Sequence, residues 1–164
     1  MRKVSIDGVP PEPADEYHSD RRPLSEPLNT SDVAITRYVL EPGERFSGSV
    51  HAHVDQEEVF VVLEGEATFE TEDGEVVVGE DEAVRFGPGE FQTGANDGDE
   101  PVVALALGAP RETNDIRISR IPVLGDRDVA CSDCGHDHMR VPTGAESGLV
   151  CPACGATLVV EEPT

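Results

Sequence analysis

The feature that most constrains this chain is a series of short β-rich runs cut apart by turn residues, with no segment of helical length and period among them. The runs fall at residues 33–40, 58–63, 67–71, 75–78, 83–86 and 102–107, and Glu41-Pro42-Gly43, Glu64-Gly65, Asp73-Gly74 and Gly87-Pro88-Gly89 separate them. Glu72-Asp73-Gly74 between two such runs is a hairpin signal, because glycine accepts positive φ at a tight turn. Many short strands at this spacing predict an all-β sandwich or barrel.

Within that frame His51-Ala-His53, Glu58 and Gly65 stand at informative intervals. Alternate residues of a strand face the same way, so His51 and His53 can meet one cation. Glu58 lies five residues past His53, the wrong parity for an unbroken strand. A turn within residues 54–57 removes the conflict and brings Glu58 up from a neighbouring strand, with Phe60 and Val62 on its face.

This spacing, led by Gly43, resembles the first motif of the cupin family. A second cupin-like motif runs from Gly79 through Gly87-Pro88-Gly89-Glu90-Phe91-Gln92 to Asn96. The resemblance implies a double-stranded β-helix, or jelly roll, over residues 30–108, and a homodimer. It also implies a divalent metal held by His51, His53 and Glu58, with Zn2+, Fe2+, Mn2+ and Ni2+ all compatible with the donors. Where the family usually carries a third histidine this chain has Gln92. Its amide oxygen is a neutral, weak donor; it either completes the shell loosely or leaves the place to water and donates a hydrogen bond. The competing reading is a degenerate pocket that holds no metal. Glu57 has solvent-facing parity, and Asp55 reads as a surface charge. Phe60, Val62, Phe69, Phe86 and Phe91 read as core and pocket wall. Arg85 either clamps an anion or, as is favoured, pairs with surface carboxylates.

All four cysteines lie near the end of the chain, as Cys131-Ser-Asp-Cys134-Gly and Cys151-Pro-Ala-Cys154-Gly. Two residues between paired cysteines let both thiolates reach one Zn2+ at about 2.3 Å, and the 16 intervening residues allow a hairpin to bring the pairs together. The module, residues 131–164, resembles a zinc ribbon. Disulfides or free thiols are the alternative. A four-thiolate site is closed and therefore structural. His136 and His138 are possible substitute ligands but read as surface residues. The module is too short for a useful core, so metal is expected to fold it.

The chain of 164 residues carries 34 acidic and 12 basic residues, a formal net charge of -22, with Lys3 its single lysine. Such a surface suits a medium dense in counterions, as in the cytoplasm of a salt-loving organism. Phosphate contacts need a basic patch; none is visible, so a nucleic-acid partner is not expected. No apolar run reaches the roughly 20 residues that cross a membrane, and the N-terminus lacks the apolar stretch of a secretion signal. Residues 1–29, rich in proline and charge, are expected to form an extended or disordered arm without helix. Residues 109–130 are expected to link barrel to ribbon, the alternating stretch 115–121 adding an edge strand.

The expected function is a small metal-binding protein that holds a small-molecule ligand in its barrel, in a binding or regulatory role. A metal-dependent dioxygenase or isomerase of the cupin type is the first alternative. A protein-interaction module that docks a partner through the ribbon is the second. No serine or free-cysteine nucleophile with a partner is apparent, so no catalytic residue is assigned.

Overall fold

The computed structural model describes residues 1–144 and 148–160. Its strands are β1 (Asp20–Pro23), β2 (Ala34–Leu40), β3 (Val50–His53), β4 (Glu57–Glu64), β5 (Glu66–Thr71), β6 (Gly74–Gly79), β7 (Ala83–Phe86), β8 (Gln92–Ala95), β9 (Val102–Ala109) and β10 (Ile116–Ile121), followed by four two-residue strands. These are β11 (Arg127–Asp128), β12 (Met139–Arg140), β13 (Leu149–Val150) and β14 (Thr157–Leu158). One sheet runs β1-β2-β9-β4-β7. The other runs β14-β13-β12-β10-β3-β8-β5-β6, with β11 paired to β10. Every pairing is antiparallel. The all-β, double-stranded β-helix architecture is the expected one.

The strands form where the alternation and turns place them. The β5–β6 hairpin closes at Thr71↔Gly74, and Thr71 Oγ1 donates to the Gly74 carbonyl at 2.7 Å. Between the sheets lies an aromatic core in which Phe69, fully buried, has the rings of Phe46, Phe60 and Phe86 at 5.5, 4.9 and 5.5 Å. Gly94 permits this packing. A Cβ there would stand 2.5 Å from the Phe69 ring and 2.7 Å from the Phe46 ring. Phe60, Val62, Phe69 and Phe86 are core, as read from the sequence. Phe91 is not; its ring packs on His138 at 5.4 Å.

Three regions differ from the sequence expectation. The segment 1–29 holds a helical turn at Ser25–Leu28, and its β1 pairs with β2 over Asp20↔Val39 to Pro23↔Thr36. Proline and charge imitate disorder here, but backbone pairing to a distant strand supplies the order.

Second, β10 is internal instead of an edge. Arg117 and Ile118 pair with Ala52 and His51 of β3 on one side, and with Arg140 and Met139 of β12 on the other.

Third, the cysteine module has a core of its own. Val129, Met139 and Leu149 bury together with Cys131, Cys151 and Ile121, the last borrowed from β10. Sharing a strand with the barrel is how so short a segment buries apolar surface. Among the described residues, no helix is long and apolar enough to cross a membrane.

Candidate metal and ligand site

On β3 the residues alternate. Val50 and Ala52 are buried on one face, while His51 and His53 line a cavity of about 370 Å³ on the other. The turn that restores parity is Val54-Asp55-Gln56, and three hydrogen bonds that sequence reading missed pin it. Asp55, read as a surface charge, accepts from Thr113 Oγ1 at 2.5 Å and from the Asn114 N–H at 2.8 Å; these hydrogen bonds hold its carboxyl below the usual range. Buried Gln56 donates to the Pro110 carbonyl at 2.6 Å. Glu58 then enters on β4, opposite Phe86 and Gly108 in the other sheet. The histidines and the carboxylate therefore meet across the barrel from different sheets. Gln92, on β8, stands directly opposite His51.

Ligand atoms of His51, His53 and Glu58 all lie within 4.8 Å of one another. His51 Nδ1 is 3.0 Å from the Ser49 carbonyl. A carbonyl only accepts, so Nδ1 carries the proton and Nε2 presents its lone pair. That lone pair faces the Gln92 amide nitrogen at 3.5 Å, and the same nitrogen donates to Glu58 Oε2 at 3.1 Å. His53 Nε2 lies 3.5 Å from Glu58 Oε2. Of the two roles open to Gln92, this geometry displays the hydrogen-bond donor.

Burial pushes the Glu58 carboxyl up to about 7 despite the Gln92 hydrogen bond. Burial, then the neighbouring His51, holds His53 down to about 4; His51 is lowered by burial too. Desolvation disfavours the charged form of each group. Near neutrality both imidazoles are thus free to act as neutral ligands. The donor set of two imidazoles and one carboxylate fits a divalent transition metal.

Glu57 and Arg85 pair outside the barrel at 2.7 Å, both well exposed. Arg85 is therefore the surface arginine that the favoured reading expected.

The cysteines converge at the other end of the chain. Cys131 and Cys154 sulfurs are 3.6 Å apart, as are those of Cys134 and Cys151, and all four gather within 4.8 Å. Sulfurs about 2.3 Å from one ion in a tetrahedron sit roughly 3.8 Å apart, whereas a disulfide needs about 2.05 Å. The two knuckles repeat one hydrogen-bond pattern. Gly135 N–H donates to the Cys131 carbonyl and Cys131 N–H to that of His136; Gly155 donates to Cys151, and Cys151 to Ala156. Burial opposes ionisation of the Cys151 thiol, yet the backbone N–H groups of Cys154 and Ala153 and the neighbouring thiols bring it down to about 6. The tetrad can hold a metal. His136 and His138 stand outside it as a half-buried pair, their Nε2 atoms 3.2 Å apart.

Sequence reading missed the second wall of the barrel cavity. Tyr17, His18 and Arg21 of the arm line it, facing Tyr38 of β2. An isolated Tyr-His pair in a proline-rich stretch was the only signal available.

The comparisons agree with this architecture. Residues 36–108 match the model of the Cupin domain. No curated protein matches the chain. Among solved structures, a sugar phosphate isomerase of the cupin superfamily from Silicibacter pomeroyi is similar at TM-score 0.64 and 20% identity, over 88% of this chain and 98% of that one. A conserved protein with a double-stranded β-helix domain from Klebsiella pneumoniae gives TM-score 0.58 and 20% identity, over 71% and 90%. A protein described as a predicted oxalate decarboxylase from Thermotoga maritima gives 0.57 and 20%, over 66% and 98%. At these identities the likeness is one of fold. Residues 36–108 are thus similar to the Cupin domain, the chain folds as a double-stranded β-helix, and a four-cysteine module extends it at the C-terminal end.

Proposed function

We propose that this is a small metal-binding cupin-domain protein that holds a small-molecule ligand in its barrel, in a binding or regulatory role. The observation that carries the reading is the convergence of His51, His53 and Glu58 on the wall of a 370 Å³ cavity. Ser49 fixes the His51 tautomer with its lone pair inward. A bound Zn2+, Fe2+, Mn2+ or Ni2+ would supply Lewis acidity to a ligand oxygen. The protein holds that ligand beside Glu58 and the Gln92 amide.

The cysteine tetrad is proposed as a structural zinc ribbon. Elemental analysis of the purified full chain tests both sites together. Two metal equivalents are expected in the wild type and one in Cys151→Ser. If that variant keeps no metal at all, the barrel reading fails.

Homodimerisation, a cytoplasmic setting and adaptation to high salt belong to the same proposal. Light scattering and a salt titration of folding test the first and the last. A fold retained unchanged from dilute buffer to molar salt overturns the halophilic reading, since screening of the -22 charge would then be idle.

A further inference from the structure

The barrel cavity has a wall that the cupin domain itself does not supply. The segment before β1 lines one side of the cavity and is tied down at several points. Asp15 accepts from the N–H groups of Tyr17 and His18 at 2.8 and 3.0 Å and pairs with His18 Nδ1 at 3.1 Å. The Arg45 N–H donates to the Tyr17 carbonyl at 2.7 Å. The Tyr17 ring lies so close over Gly48 that a Cβ there would be 2.5 Å from it. His18 is buried, its ring 5.6 Å from that of Tyr38. Arg21 stands opposite Tyr38 in the β1–β2 pair, its guanidinium carbon 5.8 Å from the ring centre.

Arg21 is the informative residue of this wall. Its Nη1 donates to Glu12 Oε2 at 2.6 Å. Its Nε is buried and has no hydrogen-bond partner among the described residues. A guanidinium keeps its charge and presents its donors as a fork suited to carboxylate or phosphate oxygens. The Nε is closed off from the cavity, so an anion would meet the outer nitrogens of the guanidinium, whose side chain is 38% exposed and lines the cavity. The cavity thus offers a cationic donor on the arm and the His51–His53–Glu58 cluster on the opposing wall.

From this juxtaposition we infer that the ligand is a small organic oxyanion, a carboxylate or a phosphate ester. Its acid group docks on Arg21, and a second oxygen faces the His51–His53–Glu58 cluster. The inference rests on the barrel being the ligand site.

The test is calorimetric titration of the metal-loaded full chain with glycolate, glycerol 3-phosphate and uncharged glycerol, beside elemental analysis of the same preparation. At least one anion is expected to bind and glycerol not; which anion binds tells carboxylate from phosphate. Arg21→Gln should weaken that binding about tenfold or more, the scale of a lost charge-assisted hydrogen bond, with barrel metal unchanged. Glu12→Gln breaks the same Arg21–Glu12 pair while leaving the guanidinium in place, and should keep or tighten binding. If the two variants weaken binding alike, Arg21 serves the arm's structure and the inference is overturned. It is overturned too if neither anion binds, or if Arg21→Gln binds normally, while barrel metal is present. Absent barrel metal with Arg21-dependent anion binding would instead sink the metal reading and leave this one standing.

Discussion

Gln92 lies directly across the β3–β8 pair from His51, and its amide nitrogen is shared between His51 Nε2 and the Glu58 carboxylate. One N–H₂ group thereby occupies two of the lone pairs that a metal ion would use. Gln92→His would exchange this donor for a ligand that projects toward the same centre. Barrel metal affinity should rise on the order of tenfold, read by competition with a chelator. An unchanged affinity would show that the amide already serves as well as an imidazole.

Metal binding at the barrel must displace the Glu58 proton. With that carboxyl pushed up to about 7, affinity should climb by about tenfold per pH unit below 7 and level off above it. Titrations with Zn2+ at pH 5.5, 6.5 and 7.5 measure the slope. A flat profile would mean that Glu58 is not a ligand.

In chelator-treated protein the same group works against the fold. Its folded value of about 7 exceeds the ordinary 4.5, so folding favours the protonated form. The cost is absent below pH 4.5, grows as pH rises to 7 and is constant above. His53, held at about 4 against 6.5, acts in the opposite sense, its cost growing as pH falls from 6.5 to 4. Glu58→Gln should therefore stabilise the metal-free protein by roughly 2 kcal/mol at pH 8, after allowance for its partial exposure. The gain should vanish near pH 4. Urea titrations at the two pH values give the comparison.

Cys151→Ser should release the metal proposed for the cysteine tetrad and loosen the small core of Val129, Met139 and Leu149. Because β12 pairs directly with β10, the amides of Arg117 and Ile118 should lose protection against hydrogen exchange. Those of the β4–β9 pair should not. Uniform protection throughout would mean that the module docks without bracing the barrel.

Gly94→Ala places a methyl against the Phe46 and Phe69 rings. Overpacking of this kind costs about 1–3 kcal/mol. A thermal melt of the variant should fall accordingly, whether or not metal is bound.

The barrel was legible because its strands follow period two and its turns carry glycine and proline, as in Thr71 to Gly74. The pairing of His51 with His53, and the need for a turn before Glu58, followed from parity alone. What stayed hidden depends on contacts between residues far apart in the chain. Nothing near Arg21 announces Tyr38 as its partner, and nothing near Asp55 announces Thr113. Phe91 looked like core because its neighbours belong to a strand, yet its ring is claimed by His138, 47 positions later. The outward side of Arg85 was a matter of weighing two options, and Glu57 decided it.

The double pairing of β10 has a consequence for dissecting this protein. A fragment that stops at Ala130 would retain the residues matched to the cupin domain and still strip β12 from β10. The freed N–H and C=O groups of Arg117 and Ile118 would then form an open sheet edge, a template for another strand to add. The cysteine module is in this sense a covering for that edge, and a shortened chain should associate through it where the full chain does not.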